Sequence, residues 1–106
     1  MFEKERNMTG KLKILFLCNG NSCRSQMAEA LLNSMQVNGV KAYSAGSRPS
    51  GEVNIKAQEV MKESGINISY YLSKGIDSLQ VKEFDYVVGM GCNDNCLLVP
   101  AREHLE

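Results

Sequence analysis

The sequence predicts an α/β domain in three layers, a central parallel sheet with helices on both faces. Three observations predict it. Short apolar runs of the kind that fills a sheet covered on both sides occur at residues 12–17 and 84–90. Between them lie two segments with apolar residues spaced by three and four, the signature of a helix with one buried stripe. The resulting alternation of strand and helix calls for parallel strands joined by right-handed crossovers, and 106 residues give room for one such domain.

Taken in order, residues 1–10 (MFEKERNMTG) are polar and aperiodic and are expected to be a flexible leader, with the single domain occupying 11–106. Leu12, Ile14, Leu15, Phe16 and Leu17 form the first strand, which should end at Cys18. From Gln26 onward, Met27, Ala28, Leu31, Leu32 and Met35 mark a helix, stopped by Asn38-Gly39. Residues 40–45 read as a second strand, followed by the turn-rich stretch 46–51. Ala57, Val60, Met61 and Ser64 give a second helix from Asn54, with Gly65 as its stop. Residues 66–72 fit no single pattern, and 74–81 suit either a short helix or a turn. Phe84, Tyr86, Val87 and Val88 define a third buried strand. The last residues form a polar tail in which His104, the one histidine, is expected to be exposed.

The chemistry concentrates between the first strand and helix, in Cys18-Asn19-Gly20-Asn21-Ser22-Cys23-Arg24-Ser25. Small, turn-prone residues let successive backbone N–H groups turn inward around a tetrahedral anion. The helix beginning near Ser25 adds the positive end of its dipole. Arg24 can close the ring with a planar two-pronged grip. Cys18 at the base would be held as a thiolate, a nucleophile beneath a bound oxyanion. Asn21 is expected to stabilise the loop through its amide, and Ser25 to donate to the sulfur or to serve as a helix-start hydroxyl.

Twelve basic and twelve acidic residues leave no net charge, so neither a nucleic acid nor an anionic membrane surface is called for. No apolar run approaches the ~20 residues needed to span a bilayer, and no secretory signal is visible. A cytoplasmic location is expected, where four cysteines serve chemistry more readily than structural bridging. Cys18-x4-Cys23 and Cys92-x3-Cys96 could also be read as two halves of a four-thiolate zinc site. Against that, structural zinc sites favour C-x2-C spacing, and Cys18 would have to leave the cradle that Arg24 completes.

The C-x5-R-S loop resembles that of the low-molecular-weight protein tyrosine phosphatases. The continuation Arg24-Ser25-Gln26-Met27-Ala28-Glu29 is more similar to the thioredoxin-coupled arsenate reductases that share their fold, since the phosphatases usually carry Pro where Gln26 stands. The similarity runs on through Tyr43-Ser44-Ala45-Gly46 and residues 61–66 into Asp85-Tyr86-Val87-Val88-Gly89-Met90-Gly91-Cys92. It implies a phosphatase-like sheet and an oxyanion site made of Asn19, Gly20, Asn21, Ser22, Cys23, Arg24 and Ser25, with Cys18, Arg24, Cys92 and Cys96 catalytic. It further implies arsenate as substrate, phosphate or sulfate as competitors, a Cys18/Cys92/Cys96 disulfide relay, and external thioredoxin as reductant with no bound cofactor.

Cys23 is expected to be auxiliary. The alternative is a tyrosine phosphatase using Cys18 and Arg24 alone, and a third class is an oxyanion-binding or zinc-stabilised module. Several reductases of this family hold a potassium ion with residues matching Asn21, Glu29 and Ser44, plus an aspartate that would fall near Lys74. Here the Lys74 ammonium could take the cation's place and pair with Glu29, or be a solvated surface charge. No bound metal and no potassium dependence are expected. Family members also carry an Asp-Pro segment and a last helix beyond the third strand, so these residues are expected to be a C-terminally truncated form.

Overall fold

The computed structural model describes residues 12–90 and 99–105. The leader at 1–10 and both Cys92 and Cys96 lie outside the described residues. The elements run β1 (Leu12–Cys18), α1 (Arg24–Ser34), β2 (Val40–Gly46), α2 (Ile55–Glu63), a 3-10 turn (Ile76–Ser78), β3 (Phe84–Gly89) and β4 (Ala101–Leu105).

All strands pair in parallel, in the order β2-β1-β3-β4. The chain moves from β1 to β2 on one side and then crosses to β3 on the other. The order therefore reverses at β1, and the crevice beyond its carboxyl end is where open α/β sheets bind ligands. Cys18 is the last residue of β1 and stands level with Gly46 of β2.

One face of the sheet carries Leu15, Leu17, Ala45 and Val87, which pack with Leu79, Phe84 and Val99 and are covered by Ile76 and Val81. Leu15 and Leu17 are fully buried, each worth roughly 1.5–3 kcal/mol. The other layer is formed by α1 on β1 and β2 and by α2 on α1, with Ala30, Val53, Ala57, Met61 and Ile68 as its core. Among the described residues the first face is covered by the 3-10 turn and its flanks. Residues 74–81 thus resolve as that turn.

Three details depart from the sequence reading. α1 ends at Ser34, four residues before Asn38, because Gln36 takes the left-handed conformation (φ 52°) that ends a helix. Its buried residues are Ser25, Gln26 and Ala30, while Met35 of the expected stripe is 68 % exposed. The polar tail around His104 is instead β4, laid in register on β3 with Val87 level with His104. His104 is half-buried there, its Nε2 2.7 Å from the Val99 carbonyl oxygen.

Candidate active site

Residues 18–24 make the turn from β1 into α1. What shapes the loop is where its carbonyls go. Cys18 O accepts from Ser47 N–H (3.1 Å), Asn19 O from Arg48 N–H (2.7 Å), Gly20 O from Ser50 N–H (2.9 Å) and Ser22 O from Asn54 N–H (2.8 Å). Asn21 O accepts from the Gln26 side chain at 3.1 Å. Five successive carbonyls are thus tied outward, to the connection after β2 and to α1. In a planar trans peptide the C=O of one residue and the N–H of the next point in opposite directions, so the N–H groups that follow face inward. The loop thus has its carbonyls laced outward, which leaves the following N–H groups on the inner side.

Asn21 is the keystone. It is fully buried with φ 48°, a left-handed conformation that asparagine tolerates better than most residues. Its Oδ1 accepts from Lys74 N–H (2.8 Å) and Gln26 Nε2 (2.9 Å), and its Nδ2 donates to Ser25 Oγ (2.8 Å) and Ser44 Oγ (3.0 Å). Ser25 Oγ lies 2.9 Å from Cys18 Sγ. Since that oxygen already accepts from Asn21, its own proton is left to donate to a thiolate. Ser25 is therefore a partner of the nucleophile, and the residue before α1, Cys23, caps the helix without any side-chain bond.

Cys18 is 3 % exposed. Burial pushes its thiol up, but the Ser25 hydroxyl and the backbone N–H groups of Ser25, Asn21 and Ser22 outweigh it, and the net shift is downward. Arg24 is not among the groups that lower it. It opens α1 as an exposed residue. Asn19, also exposed, accepts from Ser47 Oγ at 3.1 Å, whereas Cys23 sits beside α1 with its Sγ 3.9 Å from Met27 Sδ.

Behind the loop, Lys74 Nζ lies 3.7 Å from Glu29 Oε1 and donates to Ser44 Oγ at 3.3 Å. Ser44 Oγ donates to the same Glu29 oxygen. The ammonium thus meets the carboxylate, and of the two sequence readings of Lys74 the pairing is the one the structure shows. Among the described residues no group of three metal-ligating side chains converges.

Besides the residues of the outer lacing, sequence reasoning missed Gly46 and Ser73. Gly46 underlies the loop, where a Cβ would meet Asn19 O at 2.6 Å and Asn21 N at 2.9 Å. Ser73 Oγ is a second donor to Gly20 O, at 2.8 Å. The register that sets Gly46 beside Cys18 would have flagged the glycine, but only once the two strands were known to pair.

A parallel sheet with an acidic cysteine in an anion cradle at its switch point defines a class of phosphate-type oxyanion enzymes that react through a thiolate. The chain belongs to the low molecular weight phosphotyrosine protein phosphatase family, whose sequence profile matches residues 13–104. Over 100 residues it is 45 % identical to an arsenate reductase of Staphylococcus aureus, an alignment spanning 89 % of this chain and 75 % of that protein. A solved thioredoxin-dependent arsenate reductase of Corynebacterium glutamicum superposes with a TM-score of 0.77 at 34 % identity, covering 98 % of this chain and 57 % of that one. A low molecular weight protein tyrosine phosphatase from T. tengcongensis gives 0.66 at 35 % identity, over 76 % of this chain and 58 % of that one. The chain therefore spans a little over half the length of these two solved structures.

Proposed function

We propose that this protein reduces arsenate to arsenite with its own thiols and is returned to the reduced state by thioredoxin. One observation carries the reading furthest. Met90 N–H donates to Leu17 O at 2.7 Å, so the backbone leaving β3 is held against β1 one residue before Cys18. Cys92 follows two residues later, a stretch of chain that spans at most about 7 Å. A second thiol so close in sequence to that junction suits attack on Cys18 and has no task in phosphate-ester hydrolysis.

In this mechanism the inward N–H groups, the α1 N-terminus and Arg24 hold the tetrahedral anion over Cys18. The Cys18 thiolate attacks arsenic, forming a sulfur–arsenic bond, while an arsenate hydroxyl takes a proton from solvent and leaves as water. Cys92, as thiolate, attacks Cys18 Sγ. The sulfur–arsenic bond breaks with its electron pair going to arsenic, which is reduced by two electrons and departs as arsenite, leaving a Cys18–Cys92 disulfide. Cys96 attacks Cys92, frees the Cys18 thiolate and leaves a Cys92–Cys96 disulfide, which a thioredoxin dithiol reduces by exchange. The parts of Cys92 and Cys96 follow from family resemblance and chain reach. Phosphate and sulfate share arsenate's shape and charge and compete for the cradle. A thioredoxin partner suits the reducing cytoplasm, and no helix among the described residues is long and apolar enough to cross a membrane.

The test is one equivalent of arsenate added to the fully reduced protein, with alkylation quench, disulfide mapping and an arsenite assay. Arsenite release with a Cys92–Cys96 bridge, abolished by Cys18→Ser and halted at Cys18–Cys92 by Cys96→Ser, is expected. Four alkylated thiols, no arsenite and hydrolysis of a phosphotyrosine substrate would replace the reading by the phosphatase one.

A further inference from the structure

Gln26 is fully buried two residues into α1, and its two ends are unequal. Nε2 donates to Asn21 O (3.1 Å), Asn21 Oδ1 (2.9 Å) and Leu72 O (2.8 Å), two protons shared among three acceptors. Oε1 is buried with no hydrogen-bond partner among the described residues. An unmet buried acceptor is destabilising, so what this amide contributes lies in its donor half. That half grips the loop carbonyl that the backbone leaves to a side chain. At Cys18, Asn19, Gly20 and Ser22 a backbone N–H holds the carbonyl outward, and at Asn21 the Gln26 amide does.

We infer that Gln26 is a positioning residue of the oxyanion loop: by holding the Asn21 carbonyl it fixes the peptide plane between Asn21 and Ser22 and so aims the Ser22 N–H at the Cys18 sulfur and the anion above it. The plane needs such a hold. It follows a residue in the left-handed region, where the backbone is above its minimum and a reoriented peptide relieves strain. Ser22 N–H is among the groups that favour the Cys18 thiolate, so a turn of this plane removes a donor from the sulfur and presents a carbonyl in its stead. The bond to Leu72 O fastens the same amide to the segment leading to Lys74, whose N–H holds Asn21 Oδ1. The side chain thus reaches the chemistry only through the backbone it orients.

The inference rests on Cys18 being the reacting thiolate of the proposed reduction, but its readouts are alkylation and phosphate binding. A wild-type protein that releases no arsenite would fail that reading and leave this one standing. Gln26→Met keeps length and volume and removes the donor. Expected are a rise of about half to one unit in the pH midpoint of iodoacetamide alkylation, followed at the Cys18 peptide, and a loss of roughly 3–10-fold in affinity for inorganic phosphate. A midpoint and phosphate affinity equal to wild type, whatever happens to Tm, would overturn it. Should the variant not fold, the wild-type protein decides by NMR. The Gln26 side-chain amide protons should exchange slowly with water and shift when phosphate is added. Exchange as fast as that of exposed Gln80, with no response to phosphate, would overturn it as well.

Discussion

Gly46→Ala is the sharpest test of how the cradle is built, because the added methyl has nowhere to go. Its Cβ would lie 2.6 Å from Asn19 O, 2.9 Å from Asn21 N and 3.0 Å from Asn21 Cβ. Two of these are main-chain atoms of the loop, which cannot swing aside as a flexible side chain does. Relieving the closest contact to an ordinary 3.4 Å requires a displacement of about 0.8 Å. The neighbours that must yield are laced in place, since Asn19 O is bonded to Arg48 N–H and Asn21 is bonded at both ends of its amide. Overpacking of this kind costs about 1–3 kcal/mol, which in a domain of this size lowers Tm by roughly 5–20 °C. A catalytic group misplaced by close to 1 Å loses on the order of a hundredfold in rate. Thermal unfolding, phosphate titration by calorimetry and Cys18 alkylation at neutral pH would be measured together. The expected result is a lower Tm, weak or absent phosphate binding and a sluggish thiol. A variant with wild-type Tm and wild-type phosphate affinity would refute the claim that Gly46 is the floor of the loop.

Three further outcomes are expected. Cys18 has a lowered folded-state pKa, so its thiolate adds stability that is complete above the unfolded thiol value of about 8.5 and is lost as pH falls through the folded value; Ser25→Ala should move the alkylation profile to higher pH and flatten the dependence of Tm on pH in that window. Because Lys74 already faces Glu29, exchanging sodium for potassium should leave arsenate turnover unchanged, and a clear rise with potassium would count against that pairing as a built-in cation. Asn33 meets both the N–H and the C=O of Ala42 on the outer edge of β2, at 2.9 and 3.1 Å; Asn33→Ala should cost roughly 1–3 kcal/mol, seen as a lower Tm and faster exchange of the Ala42 amide.

The elements built on simple apolar logic were legible in the sequence. β1 and β3 are runs that fill a sheet, and α2 has both its signals, with Asn54 Oδ1 accepting from Lys56 and Ala57 N–H and Gly65 at φ 79° beyond its end. α1 was legible in kind but not in orientation. Its inward face carries Ser25, Gln26, Glu29 and Asn33, because that face serves the loop and the edge of β2, and the apolar stripe marked by spacing is rotated away from it. Function displaced the hydrophobic pattern on which the reading depended. β4 was illegible for another reason: Ala-Arg-Glu-His-Leu has no apolar run, and pairing with β3 supplies what the side chains do not signal. The cradle's residue types could be read from Cys18 to Ser25, yet the lacing that turns its amides inward comes from Ser47, Arg48, Ser50 and Asn54, which no local pattern connects to it.

The supports behind the acidic Cys18 are drawn from increasing distances along the chain. Ser25 is seven residues away, but Asn21, which orients it, is tied to Ser44 at a separation of 23 and to Lys74 at 53. The groups that lower the Cys18 pKa, the Ser25 hydroxyl and the N–H groups of Ser25, Asn21 and Ser22, are local, but the bonds that fix their geometry are not. The setting of the thiolate is therefore complete only when the β2 crossover and the 72–75 segment are in place on the loop. Alkylation of Cys18 below the free-thiol range thus reports whether these distant parts of the chain have come together.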